Sequence, residues 1–326
     1  MMLVLGRREL ERLLAPADVI TAVESAFREH AAGASRVVPR HGLEVPPDGR
    51  LLVMPSALLE SGALGAKLVT VYGRNRERGL PTIYAAYVLL DHETGAPLAL
   101  MEGAFLTGIR TGATSALAAR FLARPDTRRV ACFGAGVQAA FQLRCLAAIL
   151  ALERVLVVGR TPERARAFAG AMTEALGIPV TLARSPKDAV AQADLVTCAT
   201  TSPTPVFDGD GLRPGTHVDA VGAFRPDTRE VDSQTVKRAR VVVDTHATAQ
   251  EEAGDLLIPI REGAITPAHV AAELSELVTG TKPGRVKRDE ITLFKSVGFA
   301  LEDAAAARLA YDRALAEGIG QRVSLE

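Results

Sequence analysis

Apolar positions change their period along the chain. Between residues 10 and 32 they recur at helical spacing, opened by "PADV" and closed by "AAGAS", which predicts one amphipathic helix. From 36 to 101 the runs "RVVPRHGLEV", "RLLVMPSAL", "LGAKLVTVY", "TIYAAYVLLD" and "APLALMEG" are split by Gly, Pro and Asp-rich turns, with "DHETG" as a hairpin tip. They predict a largely antiparallel or mixed sheet of about five or six strands. "AFLTGIRTGATSALAARFLA" then reads as a helix whose N-terminal turn is rich in Gly and Thr.

After Pro125 the rhythm becomes strand, helix, strand. "RVACFGAG", "RVLVVGR", "PVTLA", "DLVTCAT", "THVDAVG" and "RVVVDT" are strands, and "VQAAFQLRCLAAIL" and "PERARAFAGAMTEALG" are helices between them. Such alternation predicts an α/β fold with a parallel sheet, right-handed crossovers and helices on both faces. The last helix, in "SVGFALEDAAAARLAYDRALAEG", is expected to return to the first domain. The organisation expected is therefore a Rossmann-type doubly wound sheet at 124–299, inserted in a mixed-sheet α+β domain at 1–123 plus 300–326.

Composition narrows the partners. The 38 Lys and Arg balance 38 Asp and Glu, so nothing favours nucleic acid or an anionic membrane. Cys132, Cys145 and Cys198 are scattered in apolar runs and read as buried thiols of a reducing cytosol. The opening "MMLVLGRRELERLL" has too short an apolar patch for a signal sequence, and no window approaches the ~18 apolar residues of a membrane span. A cytoplasmic location is expected.

The clearest chemical motif is Gly134-x-Gly136-x-x-Ala139, directly after a strand and opening a helix. The first glycine makes the tight turn, the second lets backbone approach a diphosphate, and the small third residue lets helix and strand pack closely. A dinucleotide is predicted. About twenty residues on, where an NAD site carries Asp or Glu for the ribose, the chain has Arg160 and Thr161, with Arg164 one turn later. A cation and a hydroxyl suit a 2′-phosphate, so NADP(H) is preferred and NAD(H) remains possible. The plain alternative is that Arg160 is a solvated loop residue.

Lys67, inside an apolar strand, either snorkels to an edge or points into a polar cleft, because unpaired burial is expensive. Arg110 falls in the N-terminal turn of the predicted helix, where a cation opposes the dipole and needs another reason to be present. Binding a substrate carboxylate or cofactor phosphate would supply one, and Thr111 and Thr114 add hydroxyls. No metal is expected, since no histidine pair has ligand spacing and there is no CxxC. Ser115 and Ser296 lack an adjacent histidine, His217 and His246 read as structural, and "KPGRVKRDE" (282–290) reads as a solvated turn.

These stretches together resemble the ornithine cyclodeaminase/μ-crystallin family over nearly the whole chain. The carriers are "LLVMPSAL", "GAKLVTVY", "LPTIYAAYVLLDHETGAPLALMEG", "LTGIRTGATSALAARFLA", "FGAGVQ", "VGAFRPDTREVD" and "ITLFKSVGFALEDAAAA". The resemblance implies a homodimer acting on a small substrate, with the split α+β domain at 1–123 plus 300–326 serving as the substrate and dimerisation domain. It makes Lys67 the active-site lysine, Arg110 the arginine that contacts substrate carboxylate and cofactor, and Arg40 a further carboxylate contact. Thr82, Val137, Gln138, Thr200 and Ser296 align with cofactor-contacting positions, and Val221 and Gly222 join them. Arg160 stands where the NAD-dependent cyclodeaminase has an aspartate.

One position departs. Cyclodeaminases place a catalytic aspartate after "VGG", and here Phe224 occupies that place. Deaminating ornithine calls for an ionisable proton shuttle, which Phe224 cannot be. Asp227 lies beyond Pro226, where the turn aims it elsewhere. "VGAFRPDTREVD" instead resembles the ketimine reductase branch, which implies NADPH-dependent reduction of Δ1-pyrroline-2-carboxylate, or Δ1-piperideine-2-carboxylate, to L-proline or L-pipecolate. In that reading Phe224 walls the apolar ring carbons. The alternatives are an ornithine cyclodeaminase, an amino-acid or N-alkyl amino-acid dehydrogenase, and a non-catalytic crystallin-type NADPH-binding protein.

Overall fold

A computed structural model describes residues 1–325. The chain packs as two units, Met1–Arg110 with the segment from Ala300 on, and Thr111–Phe299. In the first unit β1 (Met2–Leu5) precedes helices α1 (Arg7–Leu13) and α2 (Pro16–Ala31). The single helix expected over 10–32 is thus two. Pro16 has no N–H to donate and holds Ala15 extended, so α2 starts afresh with proline in its first turn.

Six further strands follow: β2 (Ser35–Val37), β3 (His41–Val45), β4 (Gly49–Leu58), β5 (Ala63–Tyr72), β6 (Ile83–Asp91) and β7 (Pro97–Glu102). The sheet runs C-terminal strand (Gln321–Val323), β1, β7, β6, β5, β4, β2, with β3 also on β4. Among the described residues of this sheet, only β1 and β7 pair in parallel. The six strands from Ser35 to Glu102 agree with the five or six expected there, and β1 and the C-terminal strand, too short to show a period, bring the sheet to eight among the described residues. Core-facing and outer positions alternate along β5, and Lys67 falls in phase with buried Gly65 and Val69. The C-terminal helix (Ala300–Glu317) packs against β4, β5 and α2. Its buried Ala304, Ala306, Ala307 and Ala310 let backbone approach the sheet closely, and Val19, Ile20, Val23 and Phe27 of α2 complete the layer.

Helix α3 (Gly103–Leu122) runs through the division between Arg110 and Thr111. The expected division after residue 123 sits at the end of this helix, whereas the observed one falls inside it. Pattern shows where a helix stops, and only packing shows which neighbours each half has.

The second unit is one fully parallel sheet. Its strands are β8 (Arg129–Phe133), β9 (Arg154–Val158), β10 (Val180–Leu182), β11 (Leu195–Cys198), β12 (His217–Ala220), β13 (Ala239–Val243), β14 (Val270–Glu273) and β15 (Ile291–Lys295). Their order is β10-β9-β8-β11-β12-β15-β13-β14. Val130 and Cys132 of β8 enter one core, while Ala131 and Phe133 enter the other. Both faces are covered, which is why these strands read as unbroken apolar runs. The three cysteines are free and buried, and burial pushes the Cys132 and Cys145 thiols up to about 12. Among the described residues no helix is long and apolar enough to cross a membrane.

Buried Asp194 gathers the start of this sheet. It accepts from the amides of Arg128 and Arg129 and from the guanidinium groups of Arg124, Arg129 and Arg213. The basic run 282–290 is also anchored rather than merely solvated. Arg285 donates to Leu122 O at 2.8 Å, to Thr292 Oγ1 at 3.0 Å and to Glu290 O. Burial alone would raise the Asp194 pKa, but bonds from Arg129 and the two amides hold it below the usual carboxylate range. That stabilisation is present above the ordinary carboxylate pKa and disappears as pH falls through the lowered one. Asp194→Asn is expected to lose about 3 kcal/mol at pH 7, and the gap to the parent protein should narrow in acid, as read by denaturant unfolding across pH.

Candidate active site

Two charged centres stand out, one in each unit. In the first, Lys67 on β5 is 2% exposed, and its ammonium donates to Asp303 Oδ2 at 2.8 Å. Arg110 on α3 is 4% exposed and donates from Nε to Asp303 Oδ1 at 3.0 Å and from a terminal nitrogen to Glu302 Oε2 at 2.5 Å. Lys67 therefore points into a polar, buried centre rather than snorkelling to an edge. Arg110 lies about two turns into α3, beyond the first-turn position expected for it, so the two carboxylates account for its presence and not the dipole.

Glu302 and Asp303 open the C-terminal helix, where negative charge is favoured. Neither was singled out in the sequence. The available signal was their placement before "AAAA", on a helix with no polar stripe to receive them. Tyr87 lies directly across the ladder from Lys67, and Ser56 Oγ donates to Ala300 O, tying the start of that helix to β4.

Electrostatics follow from this crowding. Burial lowers the Lys67 pKa, Arg110 and Arg40 lower it further, and Asp303 opposes them, leaving it at about 8. Burial pulls Arg110 down, but Asp303 and Glu302 more than offset it, so the guanidinium stays charged. Burial would raise Asp303, and Arg110 and Lys67 hold it below the carboxylate range. Burial pushes the Tyr87 hydroxyl well above its ordinary value.

In the second unit the glycine loop joins β8 to helix α4 (Val137–Ala147). Gly134 has φ +115°, and a Cβ there would lie 2.5 Å from Ala199 O, so only glycine fits. A Cβ at Gly136, the N-cap of α4, would meet open space. Ala139 is buried against the sheet, while Val137 is 64% exposed at the helix start. Helix α5 (Pro162–Leu176) begins after Thr161. A Cβ on Gly159 would come within 2.9 Å of Ala165 Cβ and 3.5 Å of Ala135 Cβ, so the end of β9 lies beside the glycine loop. Arg160, Thr161 and Arg164 are exposed there, and among the described residues neither arginine has an ion-pair partner. This open loop and the helix N-terminus fit a dinucleotide diphosphate, with the two cations beside the place its ribose would take.

Buried carboxylates hold the remaining loops at the C-terminal ends of the strands, where open α/β sheets bind ligands. Glu230 accepts from the amides of Thr200 at 2.6 Å, Gly222 at 2.6 Å and Ala223 at 3.2 Å. Asp255 accepts from the amides of Glu230 and Val231 and pairs with Lys295 at 2.7 Å, and Lys295 donates to Ala223 O. A Cβ on Gly222 would come within 2.3 Å of Thr200 O, so glycine is required there too. Val221 donates its amide to Cys198 O. Asp244 accepts from Ser296 Oγ at 3.0 Å and from the amides of Val297 and Gly298. None of these carboxylates was singled out in the sequence, because a buried acid and a surface acid look alike in one dimension.

The other positions divide between the units. Thr82, just before β6, and Arg40 belong to the first; Thr111, Gln138, Thr200 and Ser296 belong to the second. Phe224 is 37% exposed, and Asp227 pairs with Arg225 at 2.8 Å on the surface. His217 is buried between Thr292 Oγ1 and Asp219, a structural setting. Among the described residues no three His, Cys, Asp or Glu gather as a metal site. Glu230→Gln, which cannot accept through its NH₂, is expected to cost about 2 kcal/mol and to speed hydrogen exchange at Thr200, Gly222 and Ala223.

Three comparisons bear on this arrangement. A profile of the ornithine cyclodeaminase/mu-crystallin family matches residues 1–318. The chain is 38% identical over 324 residues to a Δ1-pyrroline-2-carboxylate reductase of Bacillus cereus, covering 99% of each. Among solved structures, the Thermococcus litoralis Δ1-pyrroline-2-carboxylate reductase in complex with NADH and L-proline is 44% identical with a TM-score of 0.96, covering 99% of this chain and 100% of that one. An archaeal alanine dehydrogenase dimer with bound NAD is 33% identical with a TM-score of 0.93, covering 100% of this chain and 99% of that one. The chain belongs to the ornithine cyclodeaminase/μ-crystallin family.

Proposed function

We propose that the protein is a homodimeric reductase of small cyclic ketimino acids, converting Δ1-pyrroline-2-carboxylate to L-proline. The observation that carries this reading is the buried centre of Lys67, Arg110, Asp303 and Glu302, with an ammonium whose pKa is brought to about 8. A group titrating there can release a proton at neutral pH far more readily than an ordinary lysine.

Arg110, with Arg40 close enough to be felt at Lys67, supplies positive charge for the substrate carboxylate. The ammonium of Lys67 has three N–H donors, one of them on Asp303, and can donate another to the imine nitrogen. As that N–H forms, the Nζ–H bond breaks and the lysine is left neutral, to be recharged from solvent. A bound nicotinamide dinucleotide supplies the hydride for C2, completing C=N to CH–NH. Phe224 neither gives nor takes a proton, which suits a substrate whose ring is already closed and has no amino side chain to deprotonate.

For the cofactor we favour NADPH. Arg160, Thr161 and Arg164 offer two cations and a hydroxyl at the end of β9, and Glu163 in the same turn leans toward Arg166 at 3.7 Å. The solved relatives carry NADH and NAD, so NADH is the comparison to run. The relation to an alanine dehydrogenase keeps reduction of an acyclic 2-imino acid as the second reading.

The test measures cofactor absorbance with pyrroline-2-carboxylate and piperideine-2-carboxylate, each with NADPH and NADH. Pyruvate with ammonium and NADH, and ornithine with NAD, run beside it. Ketimine-dependent oxidation of NADPH is expected. Ammonia release from ornithine, or turnover confined to pyruvate, would overturn the reading. Lys67→Ala and Arg110→Ala should each lower kcat/KM by about a hundredfold or more. Arg160→Asp should shift the NADPH-to-NADH ratio about tenfold toward NADH. Because the protonated lysine is the active form, ketimine reduction should decline as pH rises through about 8.

A further inference from the structure

We infer that Asp303 is the positioning residue of this centre, a single carboxylate that orients the ammonium of Lys67 and the guanidinium of Arg110 and governs the proton that Lys67 carries. The inference deepens the reductase reading and rests on it for its catalytic meaning. Its basis is geometric. One oxygen of Asp303 meets Lys67 at 2.8 Å and the other meets Arg110 at 3.0 Å, so the two cations are set against one planar group. Glu302 has a different task, since its ion pair is with Arg110.

Asp303 is itself held in place. It lies in the first turn of the C-terminal helix, that helix packs on β4 and β5, and Ser56 fastens the helix start to β4. The charged and titratable groups around Lys67 are Asp303 and Glu302 from that helix, Arg110 from α3, Arg40 before β3, and Tyr87 from β6. Of these, Asp303 alone accepts a hydrogen bond from the ammonium among the described residues. With Asp303 neutral, a buried ammonium would face two arginines with no carboxylate of its own, and losing its proton becomes the cheaper state. The same change frees Lys67 to leave its rotamer, so a donor in the wrong state would also be in the wrong place.

This assignment separates from the activity itself. The chain has six lysines, Lys67, Lys187, Lys237, Lys282, Lys287 and Lys295, so ¹³Cε-lysine labelling yields a spectrum that Lys67→Arg can assign. In Asp303→Asn the Lys67 signal is expected to titrate at least about one pH unit lower than in the parent protein. The alkaline limb of the kcat/KM profile for pyrroline-2-carboxylate should move with it. Glu302→Gln should move the Lys67 titration much less. Asp303→Glu, which keeps the charge but displaces it by a methylene, should leave the Lys67 titration closer to the parent's than Asp303→Asn does, while kcat falls about tenfold or more and the cofactor KM stays within about twofold.

A Lys67 signal in Asp303→Asn that titrates as in the parent protein would overturn the inference whatever the turnover. Should that variant not fold, an Asp303→Glu enzyme with the parent's kcat would overturn it equally. If the Lys67 titration moves as expected but no cyclic ketimine is reduced by the parent protein, the reductase reading fails and the Asp303 assignment stands.

Discussion

The first unit is organised by the cost of burying charge. An ammonium and a guanidinium removed from water each lose several kcal/mol of hydration unless matched by close opposite charge. Here Lys67 occupies a core-facing position of β5, and Arg110 is buried on α3. Asp303 and Glu302 make both positions tolerable, and they come from the far end of the chain. The C-terminal helix must therefore lie close on the sheet, and its run of buried alanines is what allows that approach. Core packing and proposed chemistry use the same helix face.

The second unit solves a different problem with the same material. Loops that are to bind a dinucleotide, as proposed for this unit, would have to present backbone and stay open, so they cannot be stabilised by filling them with side chains. Glu230, Asp255 and Asp244 hold them from beneath, each accepting two or more hydrogen bonds from loop amides or hydroxyls. Lys295 closes the ion pair that would otherwise leave Asp255 a buried charge without a counterion. Gly134 and Gly222 then allow neighbouring loops to approach within a distance that no Cβ permits. The rigidity of the loops comes from buried polar groups, and their openness comes from glycine.

Phe224 gains its meaning from this setting. It ends a segment whose backbone amides at Gly222 and Ala223 are fixed by Glu230. The nearby Asp227, the only acid between Phe224 and Glu230, is on the surface with Arg225. Asp227 is thus turned to the surface, the direction the sequence around Pro226 had suggested.

Much of this protein was legible in one dimension. The doubly wound unit follows from the strand and helix rhythm, and the glycine loop at its first crossover from Gly134, Gly136 and Ala139. These are local signals, in which the residue type and its immediate neighbours carry the physics. Lys67 and Arg110 were conspicuous but ambiguous, since a cation in an apolar run reads equally well as edge or core. Their partners Asp303 and Glu302 lie about two hundred residues away, and an acid opening a helix looks the same whether it meets water or a buried lysine. Pattern along the chain determined which residues needed an unusual environment. Only the tertiary structure decided what that environment was, because an electrostatic partner is selected by distance in space and leaves no trace in sequence spacing.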